Sequence, residues 1–197
     1  MPLHLSLKRS SKDGLVPSMV QSALEWLNNR LKDIRGDIWR ATRQGRIEER
    51  VSAYLSLMDK GVEVSFPDDE EPAVVAALVV QFMRMIPEGI VNVRATAALC
   101  AARDNIAALS VIVSALSSPS RQLLARLFAH LERLSTESFA DVFDLARSLA
   151  SHQIARFPEE GDEDGQQGPG PEQLIMPFGT IIRNHVEIFG GDSYTGV

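Results

Sequence analysis

Arg40 stands in the stretch Gly36-Asp37-Ile38-Trp39-Arg40-Ala41-Thr42, between two segments of helical periodicity and directly after two bulky apolar residues. A guanidinium is permanently charged and presents its N–H donors as a planar fork, which suits it to negative charge on another molecule. Arg43 and Arg46 follow closely and carry the same chemistry. On the residues alone, a surface arginine in a helix connection is the better explanation of Arg40. Arg84 interrupts an otherwise apolar helical segment, so it must reach the surface or a partner, because burying a lone charge is costly. The other reactive types are unpromising. His4, His130, His152 and His185 lack metal-ligand spacing, and His130 and His185 read as helix positions with satisfied hydrogen bonds. Cys100 lies in the run Ala97-Ala98-Leu99-Cys100-Ala101 and reads as a small buried hydrophobe. No nucleophile loop or glycine-rich phosphate cradle occurs. The acids from Glu159 to Asp164 lack the alternating ligands and glycine of a calcium loop. The expectation is therefore no metal and no cofactor.

The bulk properties narrow the function classes. With 45% hydrophobic and 23% charged residues, the chain has the balance of a globular protein able to bury a core. A net charge of −6 argues against nucleic acid as partner, since the basic cluster Lys8, Arg9, Lys12 is short and local. The longest apolar run, Ala73 to Val80, is too short for a membrane span, which needs about 20 residues. The charged start does not resemble a signal peptide, and a lone cysteine fits a reducing compartment. A cytoplasmic protein is expected.

The elements that must hold these arginines are helical nearly throughout. Val16, Val20, Leu24, Leu27 and Leu31 recur at helical spacing, as do Ile47, Val51, Leu55 and Met58, which end at Lys60-Gly61. The acids before Pro72 favour a helix start, and the segment from Ala73 to Met85 is apolar on most sides, as a central core helix would be. Leu109, Ile112, Val113 and Leu116 form a further stripe; Ser118 and Pro119 then open a helix carrying Leu123, Leu124, Leu127, Phe128 and Leu131. Thr136 is the expected cap of the next helix, and a last helix is expected from about Pro177 to Phe189. The acidic, Gly- and Pro-rich segment 158–173 reads as a mobile loop outside the packing. With no period-two pattern and no internal repeat, these signals predict an all-α fold: one helical bundle over residues 1–197, of about seven to nine helices.

Several strings, in order, resemble the Rho-GAP (BCR-homology) family. Asp13 to Val20 is similar to the family's "vP.iv" opening, and Gly36 to Thr42 to its Gly-Ile-Phe/Trp-Arg-x-Ser-Gly loop, with Asp37 inserted and Thr42 and Arg43 in place of serine and glycine. Met58 to Val64 resembles "D.G..vd", and Phe82-Met83-Arg84-Met85-Ile86-Pro87-Glu88 resembles "FLReLPePL". Leu116 to Leu131 is similar to "LP..n..LL..L..HL", and Ile181 to Phe189 to "LI.n...iF". The resemblance implies a helical domain that activates a GTP-bound Rho-family small GTPase, with Arg40 as an arginine finger supplied in trans. It implies that Arg84 supports the finger loop; because of the inserted residue, Arg43 and Arg46 are nearby substitutes for Arg40 on the partner-facing loop. Val80 stands where the family carries a lysine, and Ser138 where the string "Mt..NLA.vF.P" carries its asparagine, with Leu145 at the proline. Those positions shape the GTPase surface in the family. Their replacement supports a second reading, a module that binds a GTPase or another signalling partner without accelerating hydrolysis.

Overall fold

The computed structural model describes residues 16–34, 37–40, 45–87, 89–138, 140–152, 154–157 and 170–190. Among them are nine α-helices: α1 (Ser18–Asn28), α2 (Gly45–Asp59), α3 (Pro72–Arg84), α4 (Val93–Ala102), α5 (Ile106–Ser114), α6 (Ser118–Ser138), α7 (Val142–Ser151), α8 (Ile175–Arg183) and α9 (His185–Phe189). No strand occurs among the described residues; the nearest thing to one is an isolated parallel bridge between Val91 and Ala155. The all-α expectation is met.

The apolar stripes settle which faces turn inward. Val20, Leu24 and Leu27 of α1 are buried with Leu31 just beyond it. Helix α3 opens with Pro72 at its first position and buries Val74, Val75, Ala76, Leu78, Val79, Val80, Phe82 and Met83, so it runs through the core between α1 and α2. Its entrance is fixed differently from the sequence expectation. Glu70 does not merely face the helix dipole; it is buried and accepts hydrogen bonds from the Tyr54 hydroxyl and the Arg50 guanidinium, tying α2 to α3. Burial opposes the charged carboxylate, but these donors outweigh it and hold Glu70 below its ordinary range. Tyr54 is pushed up to about 12, first by burial and then by the Glu70 bond.

Caps set the other boundaries. Asn92 and Asn105 accept from the amides of Ala95 and Ala108 and start α4 and α5. Ser117 accepts from the Ser120 amide, so the capping hydroxyl of α6 comes one residue earlier than Ser118. Thr136 caps nothing. It lies inside α6, donating to the Glu132 carbonyl, and the cap of α7 is Asp141, whose carboxylate accepts from Phe143 N (2.8 Å) and Asp144 N (3.0 Å). The last helix is divided at Asn184, whose side chain donates back to the Thr180 carbonyl at 2.8 Å. Of the acidic segment, residues 158–169 lie outside the described residues. Its end is not loop: Pro171–Leu174 forms a 3-10 turn with Leu174 buried, leading into α8. Cys100 is half-buried rather than fully buried, and burial pushes its thiol up, away from reactivity.

Helices α7 and α8 pack closely because Gly179 leaves room for a ring: a Cβ there would fall 2.5 Å from Phe143 Cε1. Phe143 also lies 4.6 Å from the Arg183 guanidinium. This contact fixes α7, and α7 is what positions the candidate site.

Candidate functional site

Residues 37–40 form a tight turn outside the regular helices. Asp37 organises it: its Oδ1 accepts from Trp39 N (3.0 Å) and Arg40 N (3.2 Å), and its carbonyl also accepts from Arg40 N (3.2 Å). An aspartate satisfying amides two and three residues ahead replaces the backbone pairing that a helix would otherwise provide. The other carboxylate oxygen accepts from the Ser148 hydroxyl on α7.

Trp39 drives its indole into the core, 1% exposed. Its ring meets His130 of α6 edge-on, with centroids 5.5 Å apart, and His130 Nδ1 lies 2.7 Å from Asn28 Oδ1 at the end of α1. Burial, with a smaller contribution from Arg133, pushes His130 down to about 3, so the imidazole is neutral. The next residue, Arg40, is exposed. A buried aromatic is thus followed directly by an exposed arginine.

Arg84, at the end of α3, contacts His152 twice: Nε donates to its carbonyl at 3.3 Å, and Nη2 lies 3.4 Å from its Nδ1. His152 Nε2 in turn bonds the Trp39 carbonyl. Burial lowers the His152 pKa, and the Arg84 charge adds to that effect against the opposing Trp39 carbonyl and Asp37. Arg84 is therefore linked, through His152, to the carbonyl of the residue that precedes Arg40.

The remaining sequence candidates fall elsewhere. Val80, one turn before Arg84 on α3, is 2% exposed and packs in the core, so it presents nothing to a partner. Ser138 is half-buried at the end of α6 with its hydroxyl on the Leu134 carbonyl at 2.6 Å. Arg43 lies outside the described residues. Arg46 is exposed in the first turn of α2, 3.5 Å from Glu71. Asp37, Ser148 and His152 were not recognised as site residues from sequence. Asp37 carried a usable signal, an acid two residues before a tight-turn amide, whereas nothing in the spacing of Ser148 or His152 marks them. Among the described residues no group of three or more His, Cys, Asp or Glu is arranged to hold a metal ion, and no helix is long and apolar enough to cross a membrane.

The model of the RhoGAP domain family matches residues 17–151 of the chain. The chain belongs to the RhoGAP family. Two solved structures bear out the fold. The crystal structure of human Rho GTPase activating protein 15 matches with a TM-score of 0.76 at 19% identity, covering 95% of this chain and 90% of that one. The BH domain of GRAF, the GTPase regulator associated with focal adhesion kinase, matches with a TM-score of 0.68 at 17% identity, covering 87% and 93%. No curated protein sequence matches. Membership in the RhoGAP family implies a Rho-family GTPase as partner in general terms.

Proposed function

We propose that this RhoGAP domain is a cytoplasmic GTPase-activating module, spanning the chain as one domain, that inserts Arg40 into the nucleotide site of a GTP-bound Rho-family GTPase. The supporting observation is the mount: an exposed Arg40 directly follows a buried Trp39, and the turn between them is tied to α7 through Asp37–Ser148 and Trp39–His152. GTP hydrolysis spreads negative charge over the phosphoryl oxygens, and a guanidinium supplied in trans is worth roughly 10³–10⁵ in rate. Holding the turn rigid lowers the entropy lost when the guanidinium docks. The test is phosphate release from a panel of GTP-loaded Rho-family GTPases. Wild type should accelerate hydrolysis on at least one and Arg40→Ala should not; equal stimulation by both would dismiss the finger.

A second reading, GTPase binding without acceleration, is favoured by two observations: α3 offers the buried Val80 where the family has a lysine, and Ser138, where the family string has its asparagine, keeps its hydroxyl on the Leu134 carbonyl. Wild type that binds a GTP-loaded GTPase yet leaves its hydrolysis unchanged would establish this reading instead.

A further inference from the structure

We infer that His152 is a positioning residue for Arg40, through which Arg84 acts on the finger turn. The inference rests on the proposed role of Arg40.

His152 lies one residue past the family match and is 3% exposed. The Trp39 carbonyl can only accept, so the proton of the neutral imidazole sits on Nε2. Nδ1 is then a lone pair, which the Arg84 guanidinium meets as donor. A second bond runs from Arg84 Nε to the His152 carbonyl and holds the residue from both sides. The ring is thus a spacer of fixed length and polarity between a cation on α3 and a carbonyl adjoining Arg40. The charged and titratable groups facing it are Arg84 from α3 and Asp37 from the turn, with the neutral His130 on the far side of Trp39. An aliphatic residue of similar size would fill the space but leave the Trp39 carbonyl and the guanidinium without their shared partner. The turn would lose its constraint on the side that aims Arg40. A displacement of about 1 Å at a reacting group costs on the order of 10²-fold in rate.

The experiment compares His152→Leu, His152→Gln and His152→Asn in single-turnover hydrolysis by a GTPase that the wild type stimulates. Affinity for that GTPase loaded with a non-hydrolysable GTP analogue is measured in parallel. Glutamine places an amide donor near Nε2, whereas asparagine ends near Nδ1 and does not reach the Trp39 carbonyl. Leucine and asparagine should lower the saturated rate by about 10–100-fold with affinity little changed, and glutamine should restore most of the loss. In an Arg40→Ala background the same changes should have no further effect, because two groups acting as one unit are not additive. Equal loss in both backgrounds overturns the inference, as do indistinguishable rates for glutamine and asparagine. If the wild type and Arg40→Ala prove equally active, the finger reading fails and amide exchange decides the positioning claim separately. His152→Leu should then speed exchange at the Trp39 and Arg40 amides while α1 and α6 stay protected, and unchanged exchange at those two amides overturns the claim.

Discussion

Ser148 of α7 donates its hydroxyl to Asp37, whose other carboxylate oxygen gathers the amides of Trp39 and Arg40. One carboxylate thus joins a helix to the turn that carries the exposed arginine. The residue that interrupts the family-like loop string as an insertion is the one that organises the loop.

Replacing Asp37 by Ala leaves the Trp39 amide and the Ser148 hydroxyl without their acceptor, while the Arg40 amide keeps only the carbonyl of residue 37. The expected cost is about 1–3 kcal/mol in urea unfolding, with a larger fractional loss of GTPase stimulation than of GTPase affinity. Ser148→Ala removes one bond of the set and should cost roughly 1 kcal/mol or less. An unfolding midpoint for Asp37→Ala equal to that of wild type would show that the turn holds itself.

Arg40→Lys tests geometry at constant charge. A lysine offers a compact point charge in place of the planar fork, so stimulation should fall by about 10²-fold or more while binding is kept. Single-turnover phosphate release at saturating domain measures this, and a lysine variant within a few-fold of wild type would mean that charge alone suffices.

Val80→Lys places a cation where the family has one, but in a site that is 2% exposed. The ammonium must either stay buried or push its stem outward past α3, so the expected result is a loss of about 2 kcal/mol or more. Thermal unfolding checks it. A variant as stable as wild type and more active on a GTPase would show that the stem finds an outward path.

The buried histidines set a pH dependence. His130, held at about 3, stays neutral in the fold and His152 is lowered in the same direction, while the unfolded chain protonates near 6.5. Below pH 6.5 the unfolded state binds more protons, so stability should fall with pH, by up to about 1.4 kcal/mol per unit for each histidine. Above that value neither contributes a slope. Glu70, with its lowered carboxyl, adds a further loss only as pH falls through its own depressed range. Urea titrations at about pH 7.5, 6.5 and 5.5 read the slope, and His130→Gln should reduce it; stability that is flat across this window contradicts neutral histidines.

Gly179→Ala would put a methyl group against the Phe143 ring and should destabilise the domain by about 1–3 kcal/mol through overpacking. A crystal structure with Phe143 unmoved, or an unchanged melting temperature, would show that the α7–α8 contact is slack.

The helical stripes were legible because burial on one face is a periodic property: Val20, Leu24 and Leu27 point inward together, and the uniform apolarity of α3 foretold its central place. Element ends were less so. Thr136 reads as a helix cap, yet its hydroxyl bonds back to the Glu132 carbonyl of α6, as that of Ser138 does to Leu134, and the helix runs on to Ser138. The acidity of 158–173 likewise concealed the turn at Pro171, because composition averages over a boundary. Of the site, Arg40 and Arg84 could be named from local strings. His152 and Ser148 could not, since their roles come from contacts across the fold that no local window contains.

The anchors of the turn that carries Arg40 come from far along the chain. Asn28 meets His130 across 102 positions, Asp37 meets Ser148 across 111, and the Trp39 carbonyl meets His152 across 113. During synthesis α1 and the turn therefore leave the ribosome long before α6 and α7, and the indole of Trp39 has no pocket to enter. Closing loops of this length is an entropic cost met only once the later helices dock, which places the turn among the last parts of the domain to form. A nascent or truncated chain that ends before residue 152 carries Arg40 without a mount for it.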